Sequence, residues 1–468
     1  MRYTFFLLIL LLVSFLFASK DSMSTWRVMA GSALLENSSY KFLRELSDNY
    51  GGRLVGSRNN ERAMDFLQSR LKKLGLQPRK EQFEIPGWKR GADLVRLVEP
   101  LQRTLRAIAL GYVNQTPEFA AEVVYGGFGQ QDSLVKKDLA GKIVLVEQGR
   151  PPKGIQPLRY EVIDWVAQAG GKAVLFANDK EHMQVLAGTG NFQGNPAAVP
   201  AFSVTREEGQ WLKRLIENGQ KPRVEVTVNS ICQPTVTNNL VASLPGKKSA
   251  KIVVGAHFDS WDLGEGSIDN GLGTAILFEV ARLLANFSPE NYYTIDLVWF
   301  NGEELGLWGS KAFVKSHQAD SILVMVNMDM TGLPTGINIM GFEELRPLME
   351  AFLEKVNGME LPRGLWSRPW TNSDHQPFML AGIPTVTPLA HLDKSMVQNY
   401  HDFGDTFDKA NASYLAQAAA FISVLTHYLA NSRDFQFPRY EEGKLVEMLK
   451  QFKLDERLKR QKEWEFAD

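Results

Sequence analysis

From residue 238 onward, apolar runs of strand length alternate with runs at helical spacing. "KIVVGAHFDS" reads as a buried strand, "GLGTAILFEVARLLANF" as a helix and "YYTIDLVWFNGEE" as the next strand. "SILVMVNMDM", "GINIMG" and "IPTVTPLA" follow as three more. Strands that alternate with helices build parallel or mixed sheets covered on both faces. The expected fold class is therefore α/β, a mixed sheet sandwiched by helices. Ligand sites in such sheets gather beyond the carboxyl ends of the strands. Here those ends are polar: His257 and Asp259 close the first strand, Glu303 and Glu304 the second, and Asp329 the third.

The chain has 468 residues, more than one hydrophobic core usually serves. Residues 1–19 carry one basic residue and then an apolar run, short for a membrane span but right for a signal peptide. The expected location is exported: periplasmic or extracellular, and secreted or lysosomal in a eukaryotic host. Residues 20–100 open with two amphipathic helices around a glycine-rich turn (40–76) and run on into strands. Residues 101–232 change texture to short β-rich runs with interleaved helices and no cluster of catalytic groups, which reads as an inserted domain. Residues 233–436 hold the strand-helix alternation. Residues 437–468 form a charged helical tail with Leu445, Leu449 and Phe452 on one stripe, able to dock at home or on a second subunit.

Composition removes several classes of function. The net charge of -1, with no block of like charge, excludes a nucleic-acid partner. No segment beyond the leader is long and apolar enough to cross a membrane, so no span is expected after signal removal. A single cysteine, Cys232, rules out an intramolecular disulfide and reads as a small buried hydrophobe.

Two loop residues join the polar strand ends: Asp269 in "SIDNGLG" and His401 in "NYHDF". Taken singly, Asp269 is a plausible helix N-cap, Asp329 a turn residue and either histidine a surface group. Taken together, acids at the ends of successive strands repel one another, and a cation cluster removes that penalty. Two of the chain's seven histidines stand beside them. Imidazole and carboxylate without cysteine suit zinc, with other first-row metals also accommodated. Two histidines and three carboxylates exceed the needs of one tetrahedral ion and fit two ions that share a carboxylate.

The segments "HFDSWDLGEGSIDNGLG", "FNGEELGLWGS", "NMDMTG", "SDHQPFMLAGIPTV" and "YHDFGDTFDKAN" resemble, in order, the motifs of the co-catalytic zinc exopeptidase family. That family includes aminopeptidase Y, bacterial leucyl aminopeptidases and plasma glutamate carboxypeptidase, and "HFDSWD" with "DMTGLPTG" is most similar to the last branch. The resemblance implies a zinc-exopeptidase sheet with an inserted protease-associated domain and two zinc ions per chain. It implies that Asp269 bridges the ions, that His257 and Asp329 complete one site and that Glu304 and His401 complete the other. Glu303 is then the general base acting on a metal-bridged water, and Asp259 orients His257. In this family "DNG" often carries a non-proline cis peptide.

Specificity is written less plainly. Trp370, Asp374, His375 and Tyr400 resemble cleft-lining positions, with an acidic group for a peptide's free amine and aromatic walls for its first side chain. No basic cluster advertises a pocket for acidic side chains, so release of N-terminal residues from short peptides, by an aminopeptidase or dipeptidase, is favoured over a glutamate-releasing carboxypeptidase. The rivals are a one-zinc glutaminyl-peptide cyclotransferase, which typically lacks the first histidine, and a non-catalytic receptor-like relative. Homodimerisation is implied by the relatives.

Overall fold

The computed structural model describes residues 22–288, 290–317 and 321–467; the leader expected to direct export lies outside them. The strands foreseen after residue 238 belong to one eight-stranded sheet. Its members are β1 (Arg79–Ile85), β2 (Thr235–Leu244), β3 (Gly246–His257), β4 (Asn291–Phe300), β5 (Ile322–Asn327), β6 (Leu333–Asn338), β7 (Gly364–Trp366) and β8 (Thr385–His391). They lie in the order β1-β2-β4-β3-β5-β8-β6-β7. The central β4, β3, β5 and β8 run parallel, and the sheet turns antiparallel outside them at β2 and β6. It is a mixed sheet.

Alternate residues of the central strands enter different cores, which is why they read as unbroken apolar runs. Val254, Ala256, Leu297 and Trp299 face the helices Leu272–Phe287 and Ala412–Ala430. Val253, Val298, Phe300 and Met325 face the other side, against Phe313 and Phe378. Each of the valine, leucine, phenylalanine and methionine side chains contributes about 1.5–3 kcal/mol on burial. The register pairs His257 with Phe300 and Gly255 with Asn327, so the three parallel strands stop at one edge. His257, the Glu303–Glu304 pair and Asp329 therefore emerge side by side.

The N-terminal region supplies the two expected helices, Ser38–Tyr50 and Arg58–Lys73. The Ser57 side chain caps the second by accepting from the Asn60 amide. A second eight-stranded sheet draws its strands from between Leu94–Glu99 and Arg223–Val228. Its centre is parallel, built from Thr116–Tyr125, Ile143–Glu147, Ala173–Ala177 and Ala201–Val204. Trp261 and Leu305, from loops of the first sheet, are buried in the core of this second unit. The two are fastened together at those loops.

The tail forms the helices Glu442–Gln451 and Leu454–Gln461. Leu445 and Leu449 are buried in the main core of their own chain, with Phe452 packed at its margin. Beyond that stripe the tail reaches the second unit, where Arg460 pairs with Glu161 at 2.6 Å. No helix among the described residues is long and apolar enough to cross a membrane.

Candidate metal centre and active site

Asp269 stands between two histidines. His257 Nε2 lies 3.2 Å from its Oδ1 and His401 Nε2 lies 3.0 Å from its Oδ2. Asp329 Oδ1 sits 3.5 Å from His257 Nε2, and Glu304 Oε2 sits 3.1 Å from His401 Nε2. Two convergent groups result, His257–Asp269–Asp329 and Asp269–Glu304–His401, and both contain Asp269. Glu304 Oε1 is buried without a hydrogen-bond partner. An orphaned carboxylate oxygen is costly in a protein interior. The donor set, imidazole nitrogen and carboxylate oxygen with no sulfur, fits a zinc-type divalent cation in each group.

Local chemistry fixes each donor. Asp269 is held by Asp405, whose carboxylate accepts from the amides of Ile268 (2.6 Å) and Asp269 itself (3.1 Å). The Asp269–Asn270 peptide is cis, as the "DNG" resemblance implied. The Asn270 side chain ties this loop to the Asp329 loop: it donates to the Met328 carbonyl (2.8 Å) and accepts from the Gly273 and Met330 amides. Gly273 must be a glycine for that approach, since a Cβ there would lie 2.5 Å from Asn270 Oδ1 and 2.6 Å from the Met328 carbonyl oxygen.

Asp259 meets His257 through its backbone rather than its carboxylate. His257 Nδ1–H donates to the Asp259 backbone carbonyl at 3.0 Å, while the Asp259 carboxylate stands farther off, at 3.8 Å. That carboxylate accepts from the amides of Glu303 (3.1 Å) and Glu304 (3.2 Å). It aims the glutamate pair from beneath. Glu304 turns to His401, and both glutamates line a cleft of about 380 Å³. The last aspartate of "HFDSWD", Asp262, makes a two-toothed ion pair with Arg90 (2.8 and 3.0 Å), a fastening role outside the donor set.

His401 has a left-handed backbone, with φ of 57°. Such a conformation needs support in a residue with a Cβ. The inserted unit supplies it: the Ala187 amide donates to the His401 carbonyl (2.9 Å), and the His401 ring Nδ1–H donates to the Ala187 carbonyl (3.2 Å). Tyr400 stacks on the ring at 3.6 Å between centroids.

Packed this closely, the groups shift one another's ionisation. Burial works against His401 ionising, yet Glu304 and Asp269 hold its pKa up at about 9, and His257 is also raised well above its usual value. Burial and the neighbouring Asp269 push Glu304 up to about 7. Burial, with Glu304 and Asp329 adding to it, raises Glu303 well above the ordinary range. The carboxylates thus draw positive charge toward the centre of the cluster.

The weaker substrate-binding expectations fare unevenly. Tyr400 lines the cleft. Asp374 is completely buried and both its oxygens lack hydrogen-bond partners, so it offers no open face to a peptide amine. His375 is also fully buried; it donates from Nε2 to the Trp370 carbonyl at 2.8 Å, and burial lowers its pKa to about 4. It pins a loop as a neutral ring. Trp370 is exposed and outside the cleft wall.

Sequence reasoning missed Arg53, which lies fully buried behind the donors. Its guanidinium donates to the carbonyls of Gly51, Phe258, Glu265 and Gly266, and burial lowers its pKa to about 10 against the pull of Asp405 and Asp259. The cation joins the N-terminal segment to the two loops that carry His257 and Asp269. Its only signal was "YGGRLVG", whose glycines announce a tight backbone. Asp405 stood unremarked in the "YHDFGDT" segment.

Both units of the chain are similar to known proteins. Residues 239–426 match Peptidase family M28 and residues 110–212 match the PA domain. Carboxypeptidase Q of Bos taurus is 29% identical over 411 residues, covering 85% of this chain and 86% of the relative. Aminopeptidase YwaD of Bacillus subtilis (strain 168) is 28% identical over 415 residues, covering 83% of each. A peptidase M28 precursor from Shewanella amazonensis SB2B superposes with a TM-score of 0.77 at 23% identity, over 90% of this chain and 99% of that one. BSAP, a zinc aminopeptidase from Bacillus subtilis, does so with a TM-score of 0.69 at 23% identity, over 87% and 98%.

Proposed function

The chain belongs to peptidase family M28 and carries a PA domain within it, and from that premise we propose an exported dinuclear zinc exopeptidase that hydrolyses the N-terminal peptide bond of short peptides. The observation that carries the reading is Asp269, with one oxygen toward each of two histidine-carboxylate groups. His257 and Asp329 would complete one zinc site, Glu304 and His401 the other. Bound there, zinc supplies Lewis acidity toward the scissile carbonyl and makes a nucleophile available from water at neutral pH.

The chain's own residues supply the rest. Glu303 is outside both donor groups and faces the cleft, so it is free to take a proton from the attacking water and return it to the leaving amine. Asp259 holds the backbone amides of Glu303 and Glu304, which fixes the turn from which Glu304 reaches the donor group and Glu303 stays outside it. Burial of the donors keeps their interactions strong. The carboxypeptidase-like alternative draws on the Carboxypeptidase Q likeness.

The test uses unblocked dipeptides and their N-acetylated forms, assayed with zinc, after chelation and after zinc restoration. Hydrolysis that tracks zinc and needs the free amine is the expected result. Cleavage of the acetylated forms alone would move the protein to the carboxypeptidase reading.

A further inference from the structure

The two donor groups are not held alike. His401 and both residues beside it are fastened to the inserted unit. The Ala187 amide donates to the His401 carbonyl (2.9 Å), Lys180 Nζ to the Tyr400 carbonyl (2.9 Å) and the Val185 amide to the Asp402 carboxylate (2.8 Å). The residue after Glu304 is fastened there too. Tyr112 Oη–H donates to the Leu305 carbonyl at 2.7 Å, and Trp308 Nε1–H reaches the same two oxygens at 3.0 and 2.9 Å. The Leu305 side chain is fully buried in the core of the inserted unit. Gly111 permits that approach, since a Cβ there would stand 3.2 Å from both Leu305 Cδ2 and Trp261 Cη2.

The other group is supported differently. Among the described residues, no hydrogen bond joins His257, Asp329 or the residues beside them to the inserted unit. Their partners lie in the peptidase sheet, its loops and the N-terminal segment: the Asp259 carbonyl and Thr274 for His257, Arg53 for Phe258, and Asn270 for Met328 and Met330. The inserted unit joins the sheet through two chain crossings, which pair as a short ribbon of Trp88–Lys89 against Ile231–Cys232. Its bonds to Leu305 and to residues 400–402 are therefore made by docking and not by chain connectivity. Both sides of that junction carry a left-handed backbone, Tyr112 at φ of 67° and His401 at 57°. Such a conformation persists only where the surroundings enforce it.

Resting on the dinuclear zinc reading above, we propose that the inserted unit builds one metal site and not the other, with Tyr112 and Lys180 as positioning residues for the zinc held by Glu304 and His401. Tyr112 acts through the Leu305 backbone and Lys180 through the Tyr400 carbonyl. Neither lines the cleft. Docking of the unit and binding of that ion are then linked, each strengthening the other by the same factor. The ion held by His257 and Asp329 is independent of both. The position of the inserted unit thus sets whether the centre holds one ion or two.

The experiment is a competitive zinc titration of the full chain against a chromophoric chelator, in the wild type, Tyr112→Phe and Lys180→Met, with His401→Ala to mark which step is which. The wild type should bind two ions in two resolved steps, and His401→Ala should lose one of them. Tyr112→Phe and Lys180→Met should each weaken that same step by up to about tenfold and leave the other within about twofold. Zinc should also slow hydrogen exchange of the backbone at 185–187 in the wild type and leave it unchanged in His401→Ala. A selective effect in either variant sustains the proposal, so a variant that fails to fold leaves the other to decide. Two ions bound with both steps unmoved, or with both weakened equally, overturn the proposal and leave the dinuclear reading standing. Exchange at 185–187 that ignores zinc in the wild type does the same. Binding of a single ion by the wild type overturns the dinuclear reading and the proposal with it.

Discussion

His401 hydrogen-bonds through its ring Nδ1–H to the carbonyl of Ala187, a residue 214 positions earlier in the inserted unit. The donor group on that side is therefore completed from outside the sheet. The neighbouring Asp402 secures the same junction, accepting from the Val185 amide at 2.8 Å and from the Gly404 amide at 3.0 Å. If two zinc ions bind as proposed, replacing Asp402 with Ala should leave the fold intact and weaken the one on the His401 side by about tenfold, the low end of the effect of removing a group behind a ligand, because Asp402 acts on His401 through the backbone. Competitive titration with a chromophoric chelator, resolving the two affinities, checks this.

Glu303 and Glu304 are neighbours to which the proposed function gives different duties, and substitution should separate them. Glu303→Gln should retain two zinc ions and lose about 10²–10⁴-fold in kcat, the scale of a missing general base. Glu304→Gln should lose metal as well as activity. Metal analysis after dialysis, paired with a dipeptide assay, distinguishes the two; full turnover in Glu303→Gln would end its assignment as the base.

Asp269 is the residue common to both groups, so its removal should be felt twice. Asp269→Asn is expected to lower zinc content toward zero, whereas His401→Ala should leave close to one ion per chain. Equal retention in the two variants would contradict a bridging role. Mass spectrometry under non-denaturing conditions reads the stoichiometry directly.

Stability of the zinc-free protein should depend on pH in a defined direction. His401 is held at about 9 in the folded chain against an ordinary value of 6.5. A raised pKa contributes stability that is fully present below the unfolded value and disappears as pH climbs through the folded one. Glu304, pushed from 4.5 up to about 7 by burial and Asp269, acts with the same sign at lower pH. The melting temperature of chelated protein should thus fall between about pH 6 and 9. Zinc-loaded protein, with its imidazoles neutral ligands, should change little over that range.

Much of the site was legible because its donors follow apolar strands directly. His257, Glu304 and Asp329 end or follow β3, β4 and β5, whose parallel register brings them to one edge without help from distant sequence. Asp269 and His401 were found by their motifs. The less legible residues, Asp374 and His375, sit in "SDHQPF", where sequence does not reveal whether a polar group faces a cleft or is enclosed. Both proved fully enclosed.

The amino-acid sequence by itself determined the mixed sheet and the inserted unit, and it marked the polar residues at the ends of the apolar strands, with Asp269 and His401, as one cluster suited to a cation. Each follows from short-range pattern: runs that must be buried, and charged groups that cannot be left together without a cation. Only the tertiary structure decided that Arg53 braces two donor loops and that Ala187 orients His401. Those roles depend on which backbone carbonyls surround a side chain, and such surroundings are assembled from segments hundreds of residues apart.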